Sequence, residues 1–359
     1  MVEPAADGGG SRGCQEQSSG APHRRKRLSP GWAVTLAVAV VIVAIAALVM
    51  VRGRSSPVGD RGTVPETPTS FAPLTGLADP LGLAQGRCAV TVKIDNTPEA
   101  QPHYGLEQAD VVYEEVVEAS ITRLAAVFNS QAPDRVGPVR SVRRTDQSLV
   151  WPLRGIFAYS GGAPYAIESI NTAPVTQLDE TRAGPMMFRD PARSAPHDLY
   201  AHVDQMYSRC TDPPPPALFT YRPSDVRSAG DPVASLRVGF ERGYAVTWNW
   251  DSASGTWRRW MFGAPETAAS GVQLASANVV VMFTHYTGGV GEVGAEATLT
   301  GQGDAWVCTE GGVTKGSWLR PDKSKPAQLL DAARQPILLT PGPTWVELPD
   351  TSYAVTVTS

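Results

Sequence analysis

Val111-Val-Tyr-Glu-Glu-Val-Val117 and Ile121-Thr-Arg-Leu-Ala-Ala-Val-Phe128, separated by three residues, decide the fold class. Both runs are rich in Val, Ile and Phe, which suit a pleated, half-buried surface, so they read as a strand pair with a short connection. Upstream, Ala89-Val-Thr-Val-Lys-Ile-Asp95 alternates. Period-2 geometry puts Val90, Val92 and Ile94 on one face and Thr91, Lys93 and Asp95 on the other. Downstream, residues 156–159 read as a short strand ending at Ser160-Gly161-Gly162, and helices are expected over 145–153, 165–171 and 203–210. This is an α+β pattern: a mixed α/β region.

The second half is β-rich. Residues 243–262 read strand, turn at Asp251–Gly255, strand, and 278–286 reads as a buried strand. A hairpin is expected over 305–318, turning at Glu310-Gly311-Gly312, and residues 337–348 turn at Pro341-Gly342-Pro343. The lone Gly301-Gln-Gly303 reads as a turn. Seven of the nine Trp (248, 250, 257, 260, 306, 318 and 345) lie here. Exposed, they would stack on sugar rings; alternation beside Val and Phe favours the core. Between the halves, Thr211-Asp-Pro-Pro-Pro-Pro216 can continue neither a helix nor a central strand. The expected domains are therefore 73–212 and 213–359.

Residues 32–51 carry no charge, and their 20 residues span roughly 30 Å as a helix, the thickness of a bilayer core. Four cations (Arg24, Arg25, Lys26, Arg27) precede the run and two (Arg52, Arg54) follow it, which places the N-terminus in the cytoplasm. A cleaved signal peptide would have a shorter apolar core and a small-x-small site, and Met50-Val51-Arg52 is not one. The reading is a single-pass transmembrane helix, a disordered cytoplasmic tail at 1–31 and a Pro/Gly/Ser/Thr-rich flexible linker at 52–72.

The 359 residues, with a net charge of −4, exclude a polytopic membrane protein and a disulfide miniprotein. Without the tail's five cations and three anions, 26 cations and 32 anions remain, so the exported part is acidic. No nucleic-acid partner is expected of it. Cys88, Cys210 and Cys308 face the outside on this topology, and three thiols cannot all pair. A Cys88–Cys210 bridge and buried unpaired thiols both stay open.

The densest polar stretch is Val136-Gly-Pro-Val-Arg140-Ser-Val-Arg143-Arg144-Thr-Asp146. Guanidinium forks match carboxylate and phosphate oxygens, so Arg140 and Arg143 are candidate anion ligands. With 26 Arg against 5 Lys, structural ion pairing competes with that role. Glu114 and Glu115 point to opposite faces of their strand, so one at most faces a cleft. His197, after the rigid Pro196, is a candidate acid/base group, as are Glu115 and Asp146. His197 and His202 are five apart, which is not a metal-pair spacing. No metal and no cofactor are expected.

These stretches also carry a resemblance. Pro73-Leu-Thr-Gly-Leu77, Val92-Lys-Ile-Asp-Asn96, Ala109-Asp-Val-Val-Tyr-Glu-Glu115, Thr122-Arg123 and Val136-Gly-Pro-Val-Arg-Ser141 follow the order of the YerB-like lipoprotein family. Ser160-Gly-Gly162 and Ala195-Pro-His-Asp-Leu-Tyr200 continue it, and Asn278-Val-Val-Val281, Gly316-Ser-Trp318 and Pro341-Gly-Pro-Thr-Trp345 extend it through the second half. The resemblance implies a two-domain extracytoplasmic protein tethered to a membrane, and no reaction. Two departures stand out: no Cys lies near the exit of the apolar run, and Asp198 stands where the family tends to have Asn.

The reading is a membrane-anchored extracytoplasmic protein whose first domain binds an anionic or polar cell-envelope ligand, such as a wall component. Its cleft would be built from Lys93, Asp95, Asn96, Arg123, Arg140, Arg143 and Arg193. The alternatives are an envelope hydrolase or transferase using a carboxylate or His197, and a non-catalytic scaffold with a contiguous exposed apolar patch.

Overall fold

The alternating and Val-rich runs become paired strands. In the computed structural model, β1 (Val90–Asp95) and β2 (Val111–Val116) flank β3 (Thr122–Phe128), both antiparallel to it. The structure describes residues 70–241 and 243–359. The expected tail, apolar run and residues 52–69 of the linker lie outside them. Among the described residues no helix is long and apolar enough to cross a membrane.

β4 (Ile156–Ala158) runs parallel to β1, and β5 (Thr176–Leu178) parallel to β4. Two short helices accompany them, α1 (Arg144–Val150) and α2 (Pro164–Ile170). α1 starts where Asp146 Oδ2 accepts the Arg143 backbone N–H at 2.6 Å, and α2 has Pro in its first turn, where no donor is lost. Val142, Val150, Phe157, Tyr159, Ala166 and Ile170 form a small core between helices and sheet. The helix expected over 203–210 shortens to Val203–Met206 followed by a 3-10 turn, Tyr207–Arg209. Preceding it, β6 (Met187–Arg189) and β7 (Leu199–Ala201) form a two-stranded ribbon.

The second half supplies β8 (Ser235–Val238), β9 (Val246–Asp251), β10 (Thr256–Met261), β11 (Asn278–Met282), β12 (Gly301–Thr309), β13 (Gly312–Arg320), β14 (Gln328–Leu330), β15 (Thr344–Leu348) and β16 (Val355–Thr358). Five of these extend the first sheet, giving the order β14-β13-β12-β11-β15-β2-β3-β1-β4-β5. The halves join through a parallel β2–β15 pair, with Val112 opposite Trp345 and Glu114 opposite Glu347. The described residues accordingly form one compact unit. β10, β9, β8 and β16 make a second sheet.

The structure revises or completes the sequence reading at several points. Every residue of β1 is buried, including Lys93 and Asp95. Gly301-Gln-Gly303 is not a turn but the start of β12. A Cβ at Gly303 would sit 2.6 Å from Trp318 Nε1 and 2.7 Å from the Phe283 carbonyl, so close packing demands the glycine. Cys88 and Cys210 are bridged, with Cα atoms 5.8 Å apart, while Cys308 is free and buried, its thiol pushed up to about 12 by burial. The tryptophans divide: Trp248 and Trp257 are fully buried, whereas Trp260 is 37% exposed. Each buried indole withdraws about 150–250 Å², on the order of 4–6 kcal/mol of transfer free energy.

Candidate functional site

Lys93 and Asp95, two residues apart on β1, leave the same face of the sheet. Across the strands, register sets Asp95 opposite Arg123 and Arg123 opposite Glu115, a row of alternating charge. From α1, Asp146 reaches the same face. Lys93 Nζ donates to Asp146 Oδ1 at 2.8 Å and to Glu115 Oε1, and all three side chains are fully buried. Burial pushes the Glu115 carboxyl upward; Lys93 opposes this and Asp146 reinforces it. Glu115 and Asp146, two acid/base candidates, are thus enclosed and committed to one ammonium.

Asp95 is a second hub. Its Oδ2 lies 3.0 Å from Arg140 Nε and 2.8 Å from His197 Nδ1, and its Oδ1 lies 3.7 Å from Arg123 Nε. Backbone contacts aim these groups. The Arg140 N–H donates to the Lys93 carbonyl and the Asp95 N–H to the Pro138 carbonyl, stitching 138–140 along β1. The Val139 N–H donates to the Leu199 carbonyl, tying in the strand that follows His197. The side chains of Arg140 and His197 are 20% and 19% exposed, against 3% for Arg123. The site therefore has a partly open rim of Arg140 and His197 over a buried guanidinium.

Charge is unevenly compensated. Arg143 forks onto Glu118, Nε donating to Oε2 at 2.6 Å and Nη2 to Oε1, and Lys93 has two carboxylates. By contrast Arg123, Arg140 and His197 share Asp95 alone. Arg123 Nε and Nη1 are buried with no hydrogen-bond acceptor among the described residues. Burial lowers the Arg123 pKa, Asp95 opposes, and Arg143 and Arg140 lower it further, to about 10. It stays charged at neutral pH.

Two expected members fall elsewhere. Asn96 belongs to the other face, where its Nδ2 donates to Glu114 Oε1 (3.0 Å) and Thr122 Oγ1 (2.7 Å). Arg193 donates to the backbone carbonyls of Glu99 (2.7 Å) and Gln101, strapping that turn instead of lining the Asp95 hub.

The opposite face holds a network that sequence reasoning missed. Fully buried Arg259 meets Glu266 (Nε to Oε2, 2.6 Å), Glu114 (Nη2 to Oε2, 2.8 Å) and Glu347 (Nη1 to Oε1, 3.3 Å). Its guanidinium lies 4.3 Å over the Trp345 ring, and Trp248 Nε1 donates to Glu347 Oε1 at 2.7 Å. Burial, then the neighbouring Glu114, pushes the Glu347 carboxyl well above the usual range. Burial acts most strongly, to raise Glu266, but the Arg259 charge together with hydrogen bonds from His103 and Arg259 more than offsets it and holds that carboxyl at about 2. His103 links the faces, with Nε2 2.7 Å from the Asp95 carbonyl oxygen and Nδ1 3.2 Å from Glu266 Oε1.

Of the large exposed apolar side chains, Phe71, Leu77, Leu81 and Leu83 fall in one loop; Val226, Val272 and Val293 are far along the chain from it.

The domain described as "Protein of unknown function (DUF3048) N-terminal domain" matches residues 74–213, and the corresponding C-terminal domain matches 236–346. YerB of Bacillus subtilis (strain 168), provisionally named a lipoprotein, is 34% identical over 146 residues, which are 40% of this chain and 44% of that protein. The match thus spans less than half of the relative's length. The crystal structure of the YerB protein from Bacillus subtilis superposes with a TM-score of 0.68 at 24% identity, covering 80% of this chain and 99% of that one. At that identity the superposition speaks for a shared fold.

Proposed function

The chain belongs to the DUF3048 family, YerB-like two-domain proteins of unassigned function, and from that premise we propose a membrane-anchored extracytoplasmic binding protein. Residues 32–51 would span the bilayer with the N-terminus in the cytoplasm. The apolar run, the Cys88–Cys210 bridge and the relative's lipoprotein name support that placement.

The ligand is an anionic, oxygen-rich group of the cell envelope, received at the Asp95 hub. One observation carries this reading: the buried Arg123 donors lack an acceptor among the described residues, beside a rim where Arg140 and His197 share a single carboxylate. A carboxylate or phosphate oxygen would satisfy those donors and the local positive surplus together. Lys93, Glu115 and Asp146 would hold the floor rigid, and the Arg143–Glu118 fork its edge.

Calorimetry on the full chain with poly(glycerol phosphate) and with a carboxylate-bearing muropeptide tests it. Arg140→Ala, on the partly open rim, and Arg123→Gln should each weaken binding about 10- to 100-fold, the value of a lost charge-assisted hydrogen bond. Arg143→Ala, already neutralised by Glu118, should weaken it less. Equal binding by wild type, Arg140→Ala and Arg123→Gln sinks the reading.

A second reading rests on the Asp95–His197 pair. Asp95 holds Nδ1 at 2.8 Å, and Nε2 has no partner among the described residues, the arrangement of an oriented general base. On this reading His197→Ala abolishes turnover of a glycan or peptide wall fragment while preserving binding. Unchanged turnover, or none in wild type, removes it.

A further inference from the structure

The outer face of the second sheet carries another arrangement, separate from the Asp95 hub. Pairing sets Arg237 of β8 opposite Thr247 of β9, and Thr247 opposite Trp260 of β10. These three side chains form one row, and Asn249, two residues from Thr247, shares the face. Their neighbours Leu236, Trp248, Arg259 and Met261 point the other way and are buried. The row lines a shallow groove of about 660 Å³, within the range of about 300–1,000 Å³ typical of ligand sites.

Burial of this sheet needs none of these residues. Trp260 is the only exposed tryptophan among the described residues, although Trp248 and Trp257 on the same hairpin are fully enclosed. Arg237 is exposed, and no carboxylate among the described residues lies within ion-pair distance of it. The nearby Arg258, by contrast, is held by Asp251 at 2.6 Å. A flat aromatic face with a free guanidinium, an amide and a hydroxyl beside it suits a ring with apolar C–H faces and polar edges. Adjacent strands lie about 4.8 Å apart, so the row from Arg237 to Trp260 extends about 10 Å, enough for two linked sugar rings. A protein partner is the poorer match, because an interface core is mostly apolar, whereas beside Trp260, Phe262 and Ala245 this groove is lined by Arg237, Thr247 and Asn249.

We propose that the Arg237–Thr247–Trp260 row binds a pyranose glycan, one ring stacked on Trp260 and an acidic substituent of the next ring paired with Arg237. The probe is a hyaluronan tetrasaccharide, which alternates an amino sugar with a uronic acid, titrated calorimetrically into the full chain. Trp260→Ala should weaken binding at least tenfold and Trp260→Phe, which keeps a stacking face, by less. Arg237→Gln should reduce affinity and remove the preference over uncharged chitotetraose. Unchanged thermal unfolding of the variants assigns the loss to the groove, as expected for side chains outside the core. No binding of hyaluronan tetrasaccharide by wild type, or equal binding by wild type and Trp260→Ala, overturns the proposal. Because Arg140→Ala should leave this binding intact, failure here is distinguishable from failure at the Asp95 hub.

Discussion

Replacing Arg259 with Met is expected to lower the unfolding free energy by about 3–5 kcal/mol, the usual penalty for removing one partner of a buried ion network. Methionine fills much of the volume, so the loss would report charge more than cavity. Glu266 and Glu114 would be left buried without their cation. Glu347→Gln should behave in the opposite sense. Burial and Glu114 raise the Glu347 carboxyl, so the folded state binds its proton more tightly than the unfolded chain. Between the unfolded value of about 4.3 and the raised folded value, stability falls as pH rises. Glu347→Gln removes that loss, so it should match or exceed wild type at neutral pH and lose the advantage below about pH 4. Glu266 has the reverse sign: held at about 2, it contributes stability above the unfolded value, lost as pH falls toward 2. Urea titrations from pH 3 to 8 check both. An Arg259→Met variant within 1 kcal/mol of wild type would mean the network is not coupled to folding.

How much of this was legible beforehand follows from parity along strands. Alternation correctly set Lys93 and Asp95 on one face and separated Glu114 from Glu115. Applied one residue further it also sets Asn96 opposite Asp95, so grouping Asn96 with Lys93 and Asp95 broke that same rule. The same parity puts Arg259 beside Trp257 and Met261, an arginine on an apolar face, while Arg258 and Trp260 point outward. That was the available signal for the missed network. Its carboxylate partners were not readable. Glu114 and Glu347 become neighbours only through the parallel β2–β15 pair, more than two hundred residues apart in sequence, and no local pattern encodes that register. β1 is buried on both faces, with Asp146 of α1 reaching Lys93 on one of them: alternation reports which side chains share a face, not whether another layer covers it.

Removing the Cys88–Cys210 bridge is the other large expected effect. The cross-link closes 122 residues of sequence. On the chain-entropy account a loop of that length contributes about 4–5 kcal/mol, so Cys88→Ala/Cys210→Ala should lower the urea midpoint strongly. The bridge joins the residue two before β1 to the end of the first half, just ahead of the proline run at 213–216. Yet β2 pairs with β15, so loosening the first half also loosens the sheet that the second half completes. The double variant should therefore unfold in one cooperative transition at lower urea, not in two separated steps. Thiol counting checks the chemistry in a Cys14→Ser background. The native protein should show no reactive thiol, because Cys308 is buried and its thiol is pushed up to about 12. Denatured without reductant it should show one, and with reductant three. Three after denaturation alone would mean the bridge does not form. Formed in cells, it also bears on placement, because such a bond persists in an oxidising compartment and not in the cytosol. Recovery of the chain from cells with all three thiols reduced would therefore count against both the bridge and an extracytoplasmic site for the Asp95 hub.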